Sequence, residues 1–270
     1  MPKARVNGIS IDYSVEGRGE PLFLIMGFAG SKMAWYFQRR AFRKHFQVVT
    51  FDNRGVGKSD QPTGPYSMQM FADDTVGLMD HLGIDKAHIL GVSMGGMIAQ
   101  HIALSHPERV RKLILGCTFA SRQGGNGHSS EYMKRLGLSV DAPDDELRQI
   151  EPKKLMGMVV SLAFNDRLLG MAVGPLLSIF AGRMATEGVR GQFEAILGHD
   201  TLERLPAIQA PTLVIAGTHD RLINPTSSDV LAGAIPGARL VKIEGGSHAF
   251  FASKRGRFNR EVLDFLQGNL

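Results

Sequence analysis

A chain of 270 residues with 43% hydrophobic and 21% charged residues has the make-up of a soluble globular protein and the length for a substantial core. Its net charge of +5 is modest, and carriers such as Arg39, Arg40, Arg43 and Lys44 recur at helical spacing without fusing into a stripe, which argues against a nucleic-acid surface. The single cysteine, Cys117, excludes an intrachain disulfide and points to a reducing compartment, where it reads as an inert core thiol.

In chain order, Met1-Pro2-Lys3-Ala4-Arg5 leads into no apolar run of the kind a secretory signal needs, so a cytoplasmic protein is expected. Asn7-Gly8 between extended residues predicts an opening β-hairpin. Short apolar runs then predict strands over 22–26, 48–51, 87–90, 113–117, 212–216 and 239–243. Helical periodicity falls between them, over 34–44, 70–82, 94–105 and 226–235, with a last helix over 258–266. The run 22–26 is too short to cross a bilayer, so no membrane partner is expected.

Strands alternating with helices in this way imply a mostly parallel, doubly wound sheet covered on both faces. The alternation lapses over 121–205, which opens with Gly124-Gly125-Asn126-Gly127 and carries Met133, Met156, Met158, Met171 and Met184. That section reads as a helical cap inserted into a core made of 1–120 and 206–270, its adaptable methionines suited to an apolar ligand or to plain packing.

Gly91-Val92-Ser93-Met94-Gly95 follows the apolar run 87–90 and precedes a small-faced helix. This is the G-x-S-x-G context of a nucleophile elbow, where a serine sits on a strained strand-to-helix turn. A serine hydroxyl needs an adjacent base. Among nine histidines, His248 lies in the glycine-bracketed loop Glu244-Gly245-Gly246-Ser247-His248 at a strand's carboxyl end, where sites of open parallel sheets collect. His101 is two turns along the helix after Ser93, His88 lies within a strand, His45, His81 and His106 sit at helix ends, His199 falls in the cap, and His219 points away. Asp220 ends the strand before His248 and is the candidate orienting acid, ahead of Asp229 and Asp200. Oxyanion donors are expected from the Met94 N–H at a helix start and the Phe28 N–H in the loop Gly27-Phe28-Ala29-Gly30-Ser31.

With these parts assembled, the chain resembles the α/β-hydrolase fold superfamily over nearly its whole length. Asp52-Asn53-Arg54-Gly55-Val56-Gly57-Lys58-Ser59 looks like the D-x-R-G-x-G-x-S loop common in that superfamily, where it is structural and borders the site. Met26-Gly27 stands where many members carry His-Gly, so the oxyanion loop is a variant of the pattern. Serine at the elbow argues against the haloalkane dehalogenases. The chain is similar to small carboxylesterases, 3-oxoadipate enol-lactonases and cofactor-free haloperoxidase-like esterases. The resemblance implies hydrolysis of a small ester or lactone without metal or organic cofactor. The alternatives are a C–C bond hydrolase of a ring-fission diketone, or a ligand-binding homologue without efficient turnover. Substrate identity and the choice between monomer and homodimer stay open.

Overall fold

A computed structural model describes residues 2–123, 126–163 and 187–269. The chain opens with β1 (Lys3–Val6) and β2 (Ile9–Glu16), joined through Asn7 and Gly8, whose φ angles of 47° and 78° suit a tight hairpin turn. β3 (Pro21–Ile25), β4 (Gln47–Phe51), β5 (Ala87–Val92), β6 (Val110–Gly116), β7 (Thr212–Gly217) and β8 (Arg239–Ile243) follow. They form one sheet in the order β1-β2-β4-β3-β5-β6-β7-β8, with β2 antiparallel to both neighbours and the remaining pairs parallel.

The period of two along each strand decides which helix layer a side chain meets. Leu22, Leu24, Leu90, Val92, Ile114, Leu213 and Ile215 pack on one face, under Trp35, Phe42, Phe258 and Val262. Phe23, Ile25, Ile89, Leu113, Leu115 and Val214 pack on the other, with Phe71, Met97, Ile98 and Leu231. Both faces are thus covered, which is why the central strands read as unbroken apolar runs. The first layer comes from α1 (Tyr36–Phe42) and the C-terminal helix, and the second from α2 (Met68–His81), α3 (Met94–Ser105) and a helix that precedes β8.

The helix expected over 34–44 is shorter, because Lys32–Trp35 forms a 3₁₀ turn ahead of α1. β6 begins at Val110, ahead of the expected start, because Arg111 and Lys112 interrupt the apolar pattern. Between β6 and β7 the described residues hold α4 (Ser130–Leu136), α5 (Asp144–Arg148), α6 (Pro152–Ala163) and α7 (Glu187–Leu197), followed by a 3₁₀ turn over Leu202–Ala207. Met171 and Met184 lie outside the described residues. α8 (Ser227–Ala234), the short α9 (Phe250–Ser253) and α10 (Arg255–Gln267) complete the chain. No helix among the described residues is long and apolar enough to cross a membrane.

Candidate active site

The carboxyl ends of β3, β5, β7 and β8 converge on one cavity of about 200 Å³. Ser93 stands between β5 and α3 with φ 55° and ψ −125°, a conformation costly for any residue with a Cβ. The turn holds because Gly91 and Gly95, two positions to either side, have no side chains. A Cβ on Gly91 would fall 2.0 Å from the Gly95 carbonyl oxygen, and one on Gly95 would fall 2.1 Å from that of Ile25. The strain therefore lifts Ser93 out of the strand and into the cavity.

Asp220 and His248 arrive on the loops after β7 and β8. These loops are cross-tied by the His219 N–H to the Gly246 carbonyl at 2.9 Å and the Gly245 N–H to Thr218 Oγ1 at 3.0 Å. Asp220 Oδ1 accepts from the amides of Leu222 at 2.8 Å and Ile223 at 3.0 Å, which leaves Oδ2 to face His248 Nδ1 at 2.7 Å. Both side chains are buried, and His248 lines the same cavity as Ser93. A carboxylate on Nδ1 fixes the imidazole with its other nitrogen free to take a proton.

The loop 27–31 borders the cavity beside Ser93 and the start of α3, with Gly27, Phe28 and the preceding Met26 in its wall. The Ala29 amide is already engaged by Gln192 Oε1 at 2.8 Å. Among the described residues the Phe28 and Met94 amides have no hydrogen-bond partner, so both remain available as donors. The loop 52–59 lies beneath. Asn53 Nδ2 donates to the Met26 carbonyl at 3.0 Å, and Arg54 forks onto Asp74 at 2.5 and 2.7 Å in a buried pair.

The other histidines take the following places. His88 is buried in β5 against Glu20 at 3.1 Å; burial lowers its pKa although the Glu20 hydrogen bond works against that. His81 and His106 lie at helix ends, and His45 follows α1 on the surface. His219 is exposed. Asp229 is paired with Lys242 at 2.8 Å, and Asp200 accepts from the Leu202 amide at 3.1 Å. Cys117 is buried just beyond β6, and that burial raises its pKa.

Two site residues escape sequence reasoning. Gln192, on α7, is fully buried and bridges the Ala29 amide to the Arg54 carbonyl, each at 2.8 Å. His128, the one histidine that position along the chain passes over, lines the cavity beside Tyr132. It ends a run of rings, half-buried at His101 and His128 and buried at His199 and Phe119, that passes from His101 through His199 and Phe119 at centroid separations of 5.5 to 5.9 Å. Burial is the main cause that drives their pKa values down, to about 4 for His101 and about 3 for His199 and His128. The glycine-rich entry 124–127 was the only sequence signal near His128; nothing marked Gln192.

A sequence profile of the alpha/beta hydrolase fold matches residues 20–141 and 183–254. The chain is 31% identical over 269 residues to RutD of Azorhizobium caulinodans, provisionally named a carbamate hydrolase, with 98% of each chain covered. An enol-lactonase from Burkholderia xenovorans LB400 superposes with a TM-score of 0.84 at 30% identity, covering 98% of this chain and 100% of that one. Est816, described as an N-acyl homoserine lactone degrading enzyme, superposes at 0.80 with 27% identity over 98% of this chain and 100% of its own.

Proposed function

The chain belongs to the α/β-hydrolase fold family and is a hydrolase of that type; from this premise we propose that it cleaves a small carboxylic ester or lactone through a Ser93-His248-Asp220 triad. Ser93 Oγ attacks the carbonyl carbon as His248 takes its proton, and Asp220 stabilises the imidazolium that results. The oxyanion is held by the amides of Phe28 and Met94, the latter at the positive end of the α3 dipole. Collapse breaks the bond to the alkoxide, which leaves with the proton from His248. A water deprotonated by His248 then attacks the acyl-enzyme, and the acid departs with Ser93 restored. Residues 121–205 act as a cap that shapes the acyl pocket: Tyr132, Val159, Phe193 and Ile196 face the same cavity.

The observation that carries this reading is the 2.7 Å contact between Asp220 Oδ2 and His248 Nδ1, on the wall of the cavity into which the strained Ser93 turn projects. Ser93→Ala should abolish turnover of p-nitrophenyl acetate with the circular dichroism unchanged, and only the parent protein should take up a fluorophosphonate label. Activity retained by the folded variant would remove Ser93 from its role. A panel of esters, lactones and carbamates of rising acyl length would rank the classes, the carbamates included on account of RutD. Negligible ester turnover with cleavage of a ring-fission diketone would turn the assignment to C–C hydrolysis. Failure to label would favour a binding protein.

A further inference from the structure

The wall of the cavity is largely hydrocarbon, supplied by residues such as Met26, Met97, Val159, Phe193 and Ile196. His128 breaks that pattern. Its ring stacks on Tyr132 at 4.7 Å with an interplanar angle of 22°, and meets the edge of Phe119 at 5.5 Å. Neither ring nitrogen has a hydrogen-bond partner among the described residues, and Nδ1 is shut away from solvent altogether. A phenylalanine would fill this volume without stranding polar atoms, so packing alone does not account for an imidazole here.

The backbone at His128 is also unusually well fixed relative to the acid of the triad. Residues 127–129 pair antiparallel with 222–224, through the Ser129 amide to the Leu222 carbonyl at 2.8 Å and the Asn224 amide to the Gly127 carbonyl at 2.9 Å. The amides of Leu222 and Ile223 are the ones that hold Asp220 Oδ1. Burial, with Arg122 and His248 nearby, keeps the His128 pKa down to about 3, so at neutral pH the ring is uncharged with a single N–H. A stranded lone pair is cheaper than a stranded N–H. That places the proton on Nε2, the nitrogen a ligand in the cavity can reach.

Resting on the serine-hydrolase reading above, we infer that His128 is a specificity-determining residue that donates its N–H to an oxygen of the substrate distinct from the scissile carbonyl. The substrate class is then an uncharged ester or lactone with an ether, hydroxyl or carbonyl oxygen further along its chain. A hydrocarbon counterpart would leave the His128 N–H unpaired and bind less well.

The test uses p-nitrophenyl hexanoate and the three analogues in which oxygen replaces the methylene at the third, fourth or fifth position, a near-isosteric scan. At least one analogue should be preferred in kcat/KM by about five- to tenfold, the worth of one hydrogen bond. His128→Phe should erase that ratio and His128→Asn should restore part of it. A purely structural role would lower all four substrates together. A second arm measures Kd for the matching ethyl esters on Ser93→Ala and on Ser93→Ala/His128→Phe, with the same ratio expected in the first and its loss in the second. If the phenylalanine variant fails to fold, His128→Met replaces it in both arms. The inference is overturned if no analogue is preferred, or if the preference survives removal of His128. Turnover by Ser93→Ala would instead defeat the hydrolase reading, while the Kd ratios still decide the role of His128.

Discussion

Both carboxylate oxygens of Asp220 are committed, Oδ1 to two backbone amides and Oδ2 to His248. Asp220→Asn preserves the first set and reverses the second, because an amide NH₂ facing Nδ1 forces the ring proton onto Nε2, the nitrogen proposed to accept from Ser93. Turnover should fall by on the order of 10⁴-fold with an unchanged melting temperature, the size of effect known for the equivalent exchange in chymotrypsin-like enzymes. Steady-state kinetics with a p-nitrophenyl ester checks it. That Ser93, Asp220 and His248 lie at one edge of the sheet was legible in the chain, because each follows a strand with a recognisable apolar run. His128 and Gln192 were not, since neither sits at a strand end. Their places come from how the described residues between β6 and β7 pack beside the cavity, which local pattern does not encode.

Local chemistry sets the limits of several elements. The helix after Ser93 spans Met94–Ser105, as expected, because Pro107 just beyond His106 bars its continuation. α2 starts at Met68, two residues ahead of the expected position; Ser67 caps it by accepting from the Met70 amide, a signal that was present in the sequence. Gln192 hydrogen-bonds α7 to both loops near Ser93, beside the packing of Phe193 on Phe28 and of Val189 on Ala29 and Val56. Gln192→Leu should cost about 2 to 4 kcal/mol by stranding a buried amide and a buried carbonyl, read as a lower urea midpoint. It should also lower kcat more than it raises KM, because the Phe28 amide loses its fixed neighbour. Gly95→Ala makes a harsher demand: a methyl 2.1 Å from the Ile25 carbonyl must push α3 off β3. We expect at least ~3 kcal/mol of destabilisation and loss of fluorophosphonate labelling.

Three neutral histidines sharing one interior make the whole molecule acid-sensitive. His101, His199 and His128 hold values of about 4, 3 and 3 in the folded chain, below the 6.5 of an unfolded one. Above pH ~6.5 both states are uncharged and stability is unaffected. As pH falls below that, the unfolded chain binds protons that the folded one refuses, and each ring subtracts up to ~1.4 kcal/mol per pH unit until its folded value is reached. The urea midpoint should therefore be lower at pH 5.5 than at pH 7.5, and His101→Phe/His199→Phe should narrow that difference. The sheet order carries another consequence. Ser93 follows β5, flanked on both sides, whereas Asp220 and His248 hang from β7 and from β8, which has a neighbour on one side only. Breathing at that outermost ribbon would uncouple proton transfer while the middle of the molecule stays intact. Mild heating should silence turnover several degrees before near-ultraviolet ellipticity collapses, and deuterium should enter the 239–243 amides ahead of those of 87–92.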